Sequence, residues 1–227
     1  VTRTSNHKET NTRAETPTIP CVTRPRVLVV ANNKGGVGKT TVTTIIAEYF
    51  ALIRGRRVLV VDIDPQCNVS DYLVGMDSIV NNGILQAGNS EGEQPPIHPD
   101  WRPEDEKFVN QRSSIADIYY GKGVLPYDTR ITTYKGEKTT GYIHCMVGHK
   151  QKLEEVNNKF RGENNKPNPS AVKQLGLFLQ HPDILAEYDL IIIDTPPSRA
   201  PIYYAALRAG THLIVPFIPE PYSMQGI

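Results

Sequence analysis

A glycine-rich segment at residues 31–41 carries the clearest chemistry in the sequence. It reads ANNKGGVGKTT and follows a short apolar run. Glycines let backbone N–H groups approach phosphate oxygens without obstruction by side chains, and a helix that begins there directs its positive dipole end at the same anion. The segment is close to the phosphate-loop pattern G-x-x-x-x-G-K-[ST]. It therefore predicts a site for the phosphates of a nucleotide.

Two lysines and a threonine define the expected chemistry of this loop. Lys39 is the lysine of the pattern and is expected to reach the β- and γ-phosphates, and the Thr40 hydroxyl is expected to ligate Mg²⁺. Asn33 replaces the first glycine of the pattern, and the additional lysine, Lys34, marks the deviant form of the loop. The predicted nucleotide-binding residues are Lys34, Gly35, Gly36, Val37, Gly38, Lys39, Thr40 and Thr41.

A second motif, VDIDPQCN, places two carboxylates at the end of another apolar run. We expect Asp62 and Asp64 to point to opposite faces and therefore to have different roles. Pro65 turns the chain and leaves Asp64 at the mouth of the site, where a carboxylate can orient or polarise an attacking water. Asp62 is expected to hold magnesium-bound waters.

The third motif is YDLIIIDTPPS, residues 188–198. Its apolar residues lead to Asp194, whose carboxylate is expected to bind Mg²⁺ through water, because this ion keeps much of its hydration shell. The following turn, residues 195–198, is stiffened by two prolines. Such a turn beside the γ-phosphate is a candidate switch that reports the state of the nucleotide.

Hydrophobic periodicity predicts the strands and helices that position these motifs. The runs RVLVVAN and RRVLVVDID have the length and composition of buried strands, and YDLIIID and THLIVPF predict two more. The segment between the first two predicts a helix that ends at Gly55, with apolar residues at helical spacing: Val42, Ile45, Ile46, Tyr49 and Leu52. A strand–helix–strand unit implies a parallel sheet with a right-handed crossover. The predicted fold class is α/β and P-loop NTPase-like, with a mostly parallel twisted sheet flanked by helices on both faces.

The remaining segments suggest one large domain with additions. Residues 1–25 are expected to be a flexible polar arm, residues 26–227 an ATPase domain, and the apolar-poor region 76–112 an insertion or long surface loop. Shorter predictions are a helix in SSIADIYYGKG, a strand in GYIHCMV, a polar helix in HKQKLEEVNNKF, and a helix from Ala171 to Leu179 capped by Ser170.

Composition excludes several classes of protein. The chain has 227 residues with Lys+Arg 25 against Asp+Glu 24, so its net charge of +1 argues against a histone-like polycation. No apolar run approaches the roughly 20 residues that span a bilayer, and the first ten residues lack the core of a secretory signal. Three widely spaced cysteines, Cys21, Cys67 and Cys145, indicate neither a disulfide framework nor a metal knuckle. We expect a soluble, cytoplasmic protein without a protein-bound transition metal, and Cys67 as a small apolar filler.

The motifs KGGVGKTT, DIDPQCN and DTPPS, in this order, resemble those of the ParA family of partition ATPases, in the deviant phosphate-loop class that also holds MinD. The segment VPFIPEPYSMQG resembles the family's next block, so the resemblance covers most of residues 26–227. It implies an ATP-dependent homodimer that sandwiches two nucleotides. Lys34 would then reach the partner's nucleotide as the signature lysine. Lys39 would bind phosphate, Thr40 would ligate Mg²⁺ and Asp64 would orient water, which makes Lys34, Lys39 and Asp64 the expected catalytic residues.

The resemblance also implies partners. Family members bind ATP or ADP with Mg²⁺, hydrolyse ATP weakly, and bind double-stranded DNA without sequence preference in the ATP state. A centromere-binding, ParB-like protein and DNA stimulate hydrolysis, so we expect a nucleoid- or DNA-associated protein with no membrane partner. Family chains normally continue beyond the block that ends at Ile227, and we expect the adenine-contacting segment and much of the DNA-binding surface to lie in that continuation.

Two alternatives remain at this point. A MinD-like positioning ATPase would need a C-terminal amphipathic helix, and the DPQ and TPPS turns favour the partition type. A scaffold that binds ATP without productive turnover is disfavoured by the presence of Lys34, Lys39, Asp64 and Asp194. The local run Arg54, Arg56 and Arg57 is compatible either with a solvated helix end or with contact to DNA.

Overall fold

Six strands form one mostly parallel sheet. The structure is a computed structural model, and it describes residues 24–78, 80–81, 84–85, 93–131, 133–134, 136–162 and 167–219. The strands are β1 (Arg26–Val30), β2 (Arg57–Asp62), β3 (Tyr127–Asp128), β4 (Tyr142–Met146), β5 (Leu190–Asp194) and β6 (His212–Ile214). Their spatial order is β6-β1-β5-β2-β4-β3, and every pair is parallel except β3 with β4. The predicted α/β fold class is therefore confirmed.

Helices cover both faces of this sheet. They are α1 (Lys39–Glu48, continued by a π-helical turn at Tyr49–Ile53), α2 (Asn68–Leu73), α3 (Lys150–Lys159), α4 (Pro169–Leu179), α5 (Pro182–Glu187) and α6 (Pro201–Ala209). Short 3₁₀ helices span Pro103–Asp105 and Ile115–Tyr120. One apolar core lies between the sheet and α3, α4, α6 and the second 3₁₀ helix, and the other lies between the sheet and α1 with α2. Because β5 is covered on both sides, all five of its residues are buried, which explains its uninterrupted apolar sequence.

The helix predicted after the glycine-rich loop is confirmed, but a different face of it packs on the sheet. Ile45 and Tyr49 are 60% and 44% exposed, whereas Thr43 and Ala47 are fully buried. Small side chains allow α1 to approach the sheet closely. Ile45 and Tyr49 therefore lie toward the outside, while Val42 and Ile46 are partly buried against the core.

The other predicted elements are mostly confirmed. The helix in SSIADIYYGKG is a 3₁₀ helix that begins at Ser114 with a capping box and ends at Gly121, whose φ of 73° is left-handed. The expectation that Ser170 caps the next helix is wrong. α4 begins two residues earlier than predicted, at Pro169, and the Asn168 side chain accepts a 2.9 Å hydrogen bond from the Ser170 backbone N–H. Proline suits this first helical position because its missing N–H would have no partner there.

The region predicted as an insertion contains short antiparallel ladders and an ion pair of its own. Asp77–Ser78 pairs with Glu93–Gln94, and Val80–Asn81 pairs with Ile84–Leu85, each antiparallel. Arg112 Nη1 contacts Asp77 Oδ2 at 2.6 Å and closes the region at its base. A further ladder joins Thr133–Tyr134 to Glu137–Lys138. The limits 76–112 stay a prediction, and the predicted arm lies outside the described residues except for its last two.

Candidate functional site

The three sequence motifs meet at the carboxyl end of the sheet. Because β1, β5 and β2 are adjacent and parallel, their last residues lie side by side: Val30 is in register with Asp194, and Asp194 with Asp62. The loop after each strand therefore opens at the same edge. This position, at the carboxyl ends of parallel strands, is where open α/β sheets bind their ligands.

The glycine-rich loop connects β1 to α1 and has the backbone that its sequence predicts. Gly36 and Gly38 have φ values of 71° and 84°, in the left-handed region that favours glycine. An ideal Cβ placed on Gly35, Gly36 or Gly38 meets no other atom within 4 Å, so the space beside the loop is open. Asn32 holds the start of the loop, because its Oδ1 accepts from Lys34 N–H at 2.9 Å and its Nδ2 donates to the Pro216 carbonyl at 2.8 Å.

Lys39 is the buried cation of the site. It is only 7% exposed, and its Nζ donates to the Lys34 carbonyl at 3.2 Å, so the side chain lies over the loop. Burial lowers the pKa of Lys39, while the nearby carboxylates of Asp64 and Asp194 oppose that shift. The three predicted motifs thus share one electrostatic environment.

Asp194 links the strand end to the first turn of α1. Its Oδ2 accepts a 2.9 Å hydrogen bond from Thr40 Oγ1, and its Oδ1 accepts another at 2.9 Å from Thr43 Oγ1. Burial raises the pKa of the Asp194 carboxyl, and the two hydroxyl donors partly offset this effect. We did not predict the contribution of Thr43 from the sequence. Its position one turn after Thr40 on the same helix face is the signal that was available.

Asp62 and Asp64 do not point to opposite faces, as we expected from the sequence. Asp62 is the last residue of β2, and Asp64 lies in the turn after it. The charge of Asp64 acts on both Asp62 and Lys39, so the two carboxyl groups belong to the same cluster. Asp62 Oδ1 accepts from Asp64 N–H at 3.1 Å, and Asp64 Oδ1 accepts from Gln66 N–H at 2.9 Å. Burial is the largest cause of the raised pKa of both groups, and the charge of Asp194 adds to it for Asp62.

A buried serine that we did not predict holds Asp62 in place. Ser70, on α2, donates to Asp62 Oδ2 from its hydroxyl at 2.6 Å and from its backbone N–H at 3.0 Å. The same hydroxyl accepts from Gly148 N–H at 2.9 Å, which connects the site to the loop after β4. Neighbouring Cys67 is buried, as expected for a filler, and burial raises the pKa of its thiol.

The turn after β5 is anchored at one end and exposed at the other. Thr195 is buried, and its Oγ1 donates to the Val30 carbonyl at 2.9 Å, which fixes the turn to β1. Residues 197–199 are exposed at the edge of the site. The switch role of this turn stays a prediction.

These residues fit a nucleotide with Mg²⁺. Oxygen donors are the ligands that Mg²⁺ requires, and the site offers the Thr40 hydroxyl with the carboxylates of Asp62 and Asp194. The open loop offers backbone N–H groups and Lys39 to an anion. A parallel sheet with this loop between its first strand and helix, and with an acidic strand end bonded to the loop threonine, defines the class of P-loop nucleoside triphosphatases.

Comparison with known proteins specifies the family. Residues 25–227 match the family model AAA_31, described as an AAA domain. The chain therefore belongs to this family, as a member of the ParA-type partition ATPases that its motifs resemble.

Two curated relatives illustrate the similarity. The chromosome-partitioning ATPase Soj of Thermus thermophilus is 27% identical over 202 residues, which cover 89% of this chain and 58% of Soj. The virulence plasmid ParA family protein pGP5-D of Chlamydia muridarum is 28% identical, with 89% and 59% covered. The chain thus spans about six tenths of the length of these relatives.

Solved structures give the same fold. The structure of pNOB8 ParA bound to nonspecific DNA has a TM-score of 0.57 and 25% identity, covering 89% of this chain and 56% of that one. Cobyrinic acid a,c-diamide synthase from Mycobacterium smegmatis, with ADP and magnesium bound, has a TM-score of 0.59 at 24% identity, covering 89% of this chain and 64% of that one. Among the described residues, no helix is long and apolar enough to cross a membrane.

Proposed function

We propose that this protein is a Mg²⁺-dependent ATPase that moves or partitions DNA. The observation that carries the proposal is the 2.9 Å hydrogen bond from Thr40 Oγ1 to Asp194 Oδ2, which joins the phosphate loop to the acidic strand end. This pair places a hydroxyl and a carboxylate beside Lys39, where the β- and γ-phosphates of ATP and their Mg²⁺ would be held.

The residues of the site have separate proposed roles in ATP hydrolysis. When bound, Mg²⁺ neutralises charge on the phosphate oxygens. The loop N–H groups and Lys39 hold the phosphates, and Thr40 is a direct ligand position for the ion. Asp62 and Asp194 would help to hold the hydrated ion, and Asp64 would orient the attacking water.

Dimerisation completes the site in this proposal. Gly35 and Gly36 are exposed at the tip of the loop, so a second copy can approach the nucleotide there. Lys34 lies next to them and would extend to the phosphates held by the partner. A cation aimed at charge that develops during phosphoryl transfer accelerates hydrolysis in the manner of an arginine finger.

DNA and a stimulating protein are the proposed partners. The names of the relatives support this step, since one is a chromosome-partitioning ATPase and another a ParA bound to nonspecific DNA. In the proposed cycle, ATP binding produces a dimer that binds duplex DNA, and weak hydrolysis, stimulated by DNA and a centromere-binding protein, releases it. This places the protein on the nucleoid or on a plasmid.

The test is Mg²⁺-dependent ATP turnover of the full-length protein, with and without random-sequence duplex DNA. We expect slow turnover that DNA increases and that Lys39→Ala abolishes. Tight ATP binding without turnover would identify the protein as a nucleotide-dependent scaffold. Turnover that persists in Lys39→Ala would contradict the assignment of the site.

A further inference from the structure

Five exposed arginines lie at the end of the sheet opposite the nucleotide site. Arg24 lies just before β1, and Arg26 is the first residue of that strand. Arg54 and Arg56 lie just before β2, and Arg208 lies in the last turn of α6. Because β1 and β2 are parallel, both begin at this same end. Together these five residues are called the arginine surface below. In the part of the chain that the structure describes, none of their side chains makes a hydrogen bond or ion pair with protein.

The arginine surface is held by a rigid backbone. A Cβ on Gly141 would come within 2.7 Å of the Arg56 backbone, so these two segments pack directly against each other. At the other side, Thr211 N–H donates to the Val27 carbonyl at 2.8 Å, which fixes the end of α6 beside the start of β1. The positions from which the arginines project are therefore set before any ligand arrives.

The acidic residues near this end of the sheet are bonded to other side chains. Asp189, just before β5, is paired with Arg57, whose Nη2 lies 3.0 Å from Asp189 Oδ1. Glu187 on α5 accepts a hydrogen bond from the Tyr142 hydroxyl. The second exposed acid of α5, Asp183, lies 3.5 Å from His181. Asp189 lies between the two strand starts, because β5 separates β1 from β2, and hydrogen bonding by Arg57, together with the charge of Arg56, lowers the pKa of its carboxyl. The Asp189 carboxylate is already bonded to Arg57, so the charge at this end of the sheet stays positive overall.

We propose that the arginine surface binds the phosphate backbone of duplex DNA. The inference rests on the proposed function, which supplies DNA as the partner, and it assigns the residues that contact it. Two strand spacings separate β1 from β2, a distance of about 10 Å, which is close to the roughly 12 Å width of the major groove. Arginines at the two strand starts can therefore contact phosphates on both edges of one groove. Arginine suits this role because its planar fork binds phosphate with two parallel hydrogen bonds.

Backbone contacts of this kind carry no sequence preference. They also leave the nucleotide site free, because the carboxyl end of the sheet lies on the opposite side. An anionic membrane is the alternative partner for a basic surface. A membrane attracts basic residues whatever their spacing, whereas these arginines project from rigid strand starts at a set separation.

The experiment measures binding of the full-length protein, with ATP and Mg²⁺, to random-sequence duplex DNA at several salt concentrations. Each phosphate contact contributes about 0.9 to the slope of log K against log salt. We expect Arg56→Ala to reduce the slope by about 0.9 and the double variant Arg54→Ala with Arg56→Ala to reduce it by about 1.8. ATP turnover without DNA should stay at the parent rate, because neither residue touches the nucleotide site.

The matched control is Arg161→Ala, which removes another exposed arginine, between α3 and α4. An unchanged slope in the double variant would overturn the assignment, and so would an equal reduction in the control. Neither outcome would contradict DNA binding or ATP turnover by the parent protein. Failure of the parent protein to bind DNA would overturn both this assignment and the DNA part of the proposed function. Binding to phosphatidylserine vesicles that the double variant loses, with DNA binding retained, would instead identify a membrane surface.

Discussion

The Ser70 hydroxyl donates a 2.6 Å hydrogen bond to Asp62 Oδ2 and accepts one of 2.9 Å from Gly148 N–H. One buried side chain thus connects the acidic end of β2 to the loop after β4. A hydroxyl can act as donor and acceptor at once, so Ser70 fixes the Asp62 carboxylate in a single orientation. The orientation of Asp62 decides where it can hold a metal-bound water.

Ser70→Ala should raise the Mg²⁺ concentration needed for half-maximal ATP turnover. The change leaves Asp62 Oδ2 with only the backbone donor of residue 70, so the carboxylate is less well positioned. The unfolding free energy should fall by about 1–3 kcal/mol because the Gly148 N–H also loses its acceptor. Ser113→Ala is the matched control, since Ser113 is also fully buried and accepts from Leu125 N–H at 2.7 Å. An equal Mg²⁺ requirement in both variants would contradict the positioning role.

Thr43→Val should weaken nucleotide binding and stability together. It keeps the shape of the side chain but removes the donor to Asp194 Oδ1, which leaves a buried carboxylate oxygen unpaired at a cost of about 1–3 kcal/mol. Thr44→Val serves as the control, because the Thr44 hydroxyl donates to the Thr41 carbonyl of its own helix. Chemical denaturation and titration with a fluorescent ATP analogue measure the two effects. Equal effects in both variants would argue against a special role for Thr43.

Lys34→Ala should abolish ATP-dependent dimerisation while part of the nucleotide affinity remains. The reason is that Lys39 and the loop backbone hold the phosphates within one copy, whereas Lys34 is proposed to act across the interface. Sedimentation velocity with and without ATP and Mg²⁺ measures the oligomeric state, and Lys39→Ala, which should lose nucleotide binding, is the comparison. A Lys34→Ala variant that still dimerised with ATP would contradict the role in trans.

Asp64→Ala should accumulate an ATP-bound dimer. The carboxylate is proposed to orient the attacking water, so its loss slows hydrolysis by about 10²–10⁴-fold, the usual contribution of such a group, without removing phosphate ligands. Single-turnover measurements with radiolabelled ATP test this directly. Hydrolysis at the parent rate would show that another group orients the water.

Lowering the pH should destabilise the protein partly through His149. Burial, with Lys152 as a second cause, lowers the pKa of this histidine from 6.5 to about 4. Because the folded pKa lies below the unfolded one, the stabilising contribution is present above pH 6.5 and is lost as the pH falls toward 4. The unfolding free energy of the parent should decrease by about 1–2 kcal/mol more than that of His149→Gln between pH 7 and pH 5. Parallel decreases in the two proteins would contradict this contribution.

Much of the site was predictable because its chemistry is local in the chain. The loop from Lys34 to Thr41, and the acids at the ends of two apolar runs, follow from contiguous residues and from the rule that parallel strands end at one edge. The fold class and the family followed from the same motifs. The predicted capping by Ser170 was wrong because the choice between nearby caps depends on where the preceding chain enters the helix, and Asn168 with Pro169 satisfies that geometry two residues earlier.

The sequence by itself determined the phosphate loop, the strand ends and the order in which they occur, since each is encoded in fewer than a dozen consecutive residues. Only the tertiary structure decided which distant side chains complete the site. Thr43 reaches Asp194 across 151 residues and Gly148 reaches Ser70 across 78, because the spatial order of the strands brings them together. The arginine surface has the same origin, because separate short basic segments become one surface when parallel strands begin at the same end of a sheet.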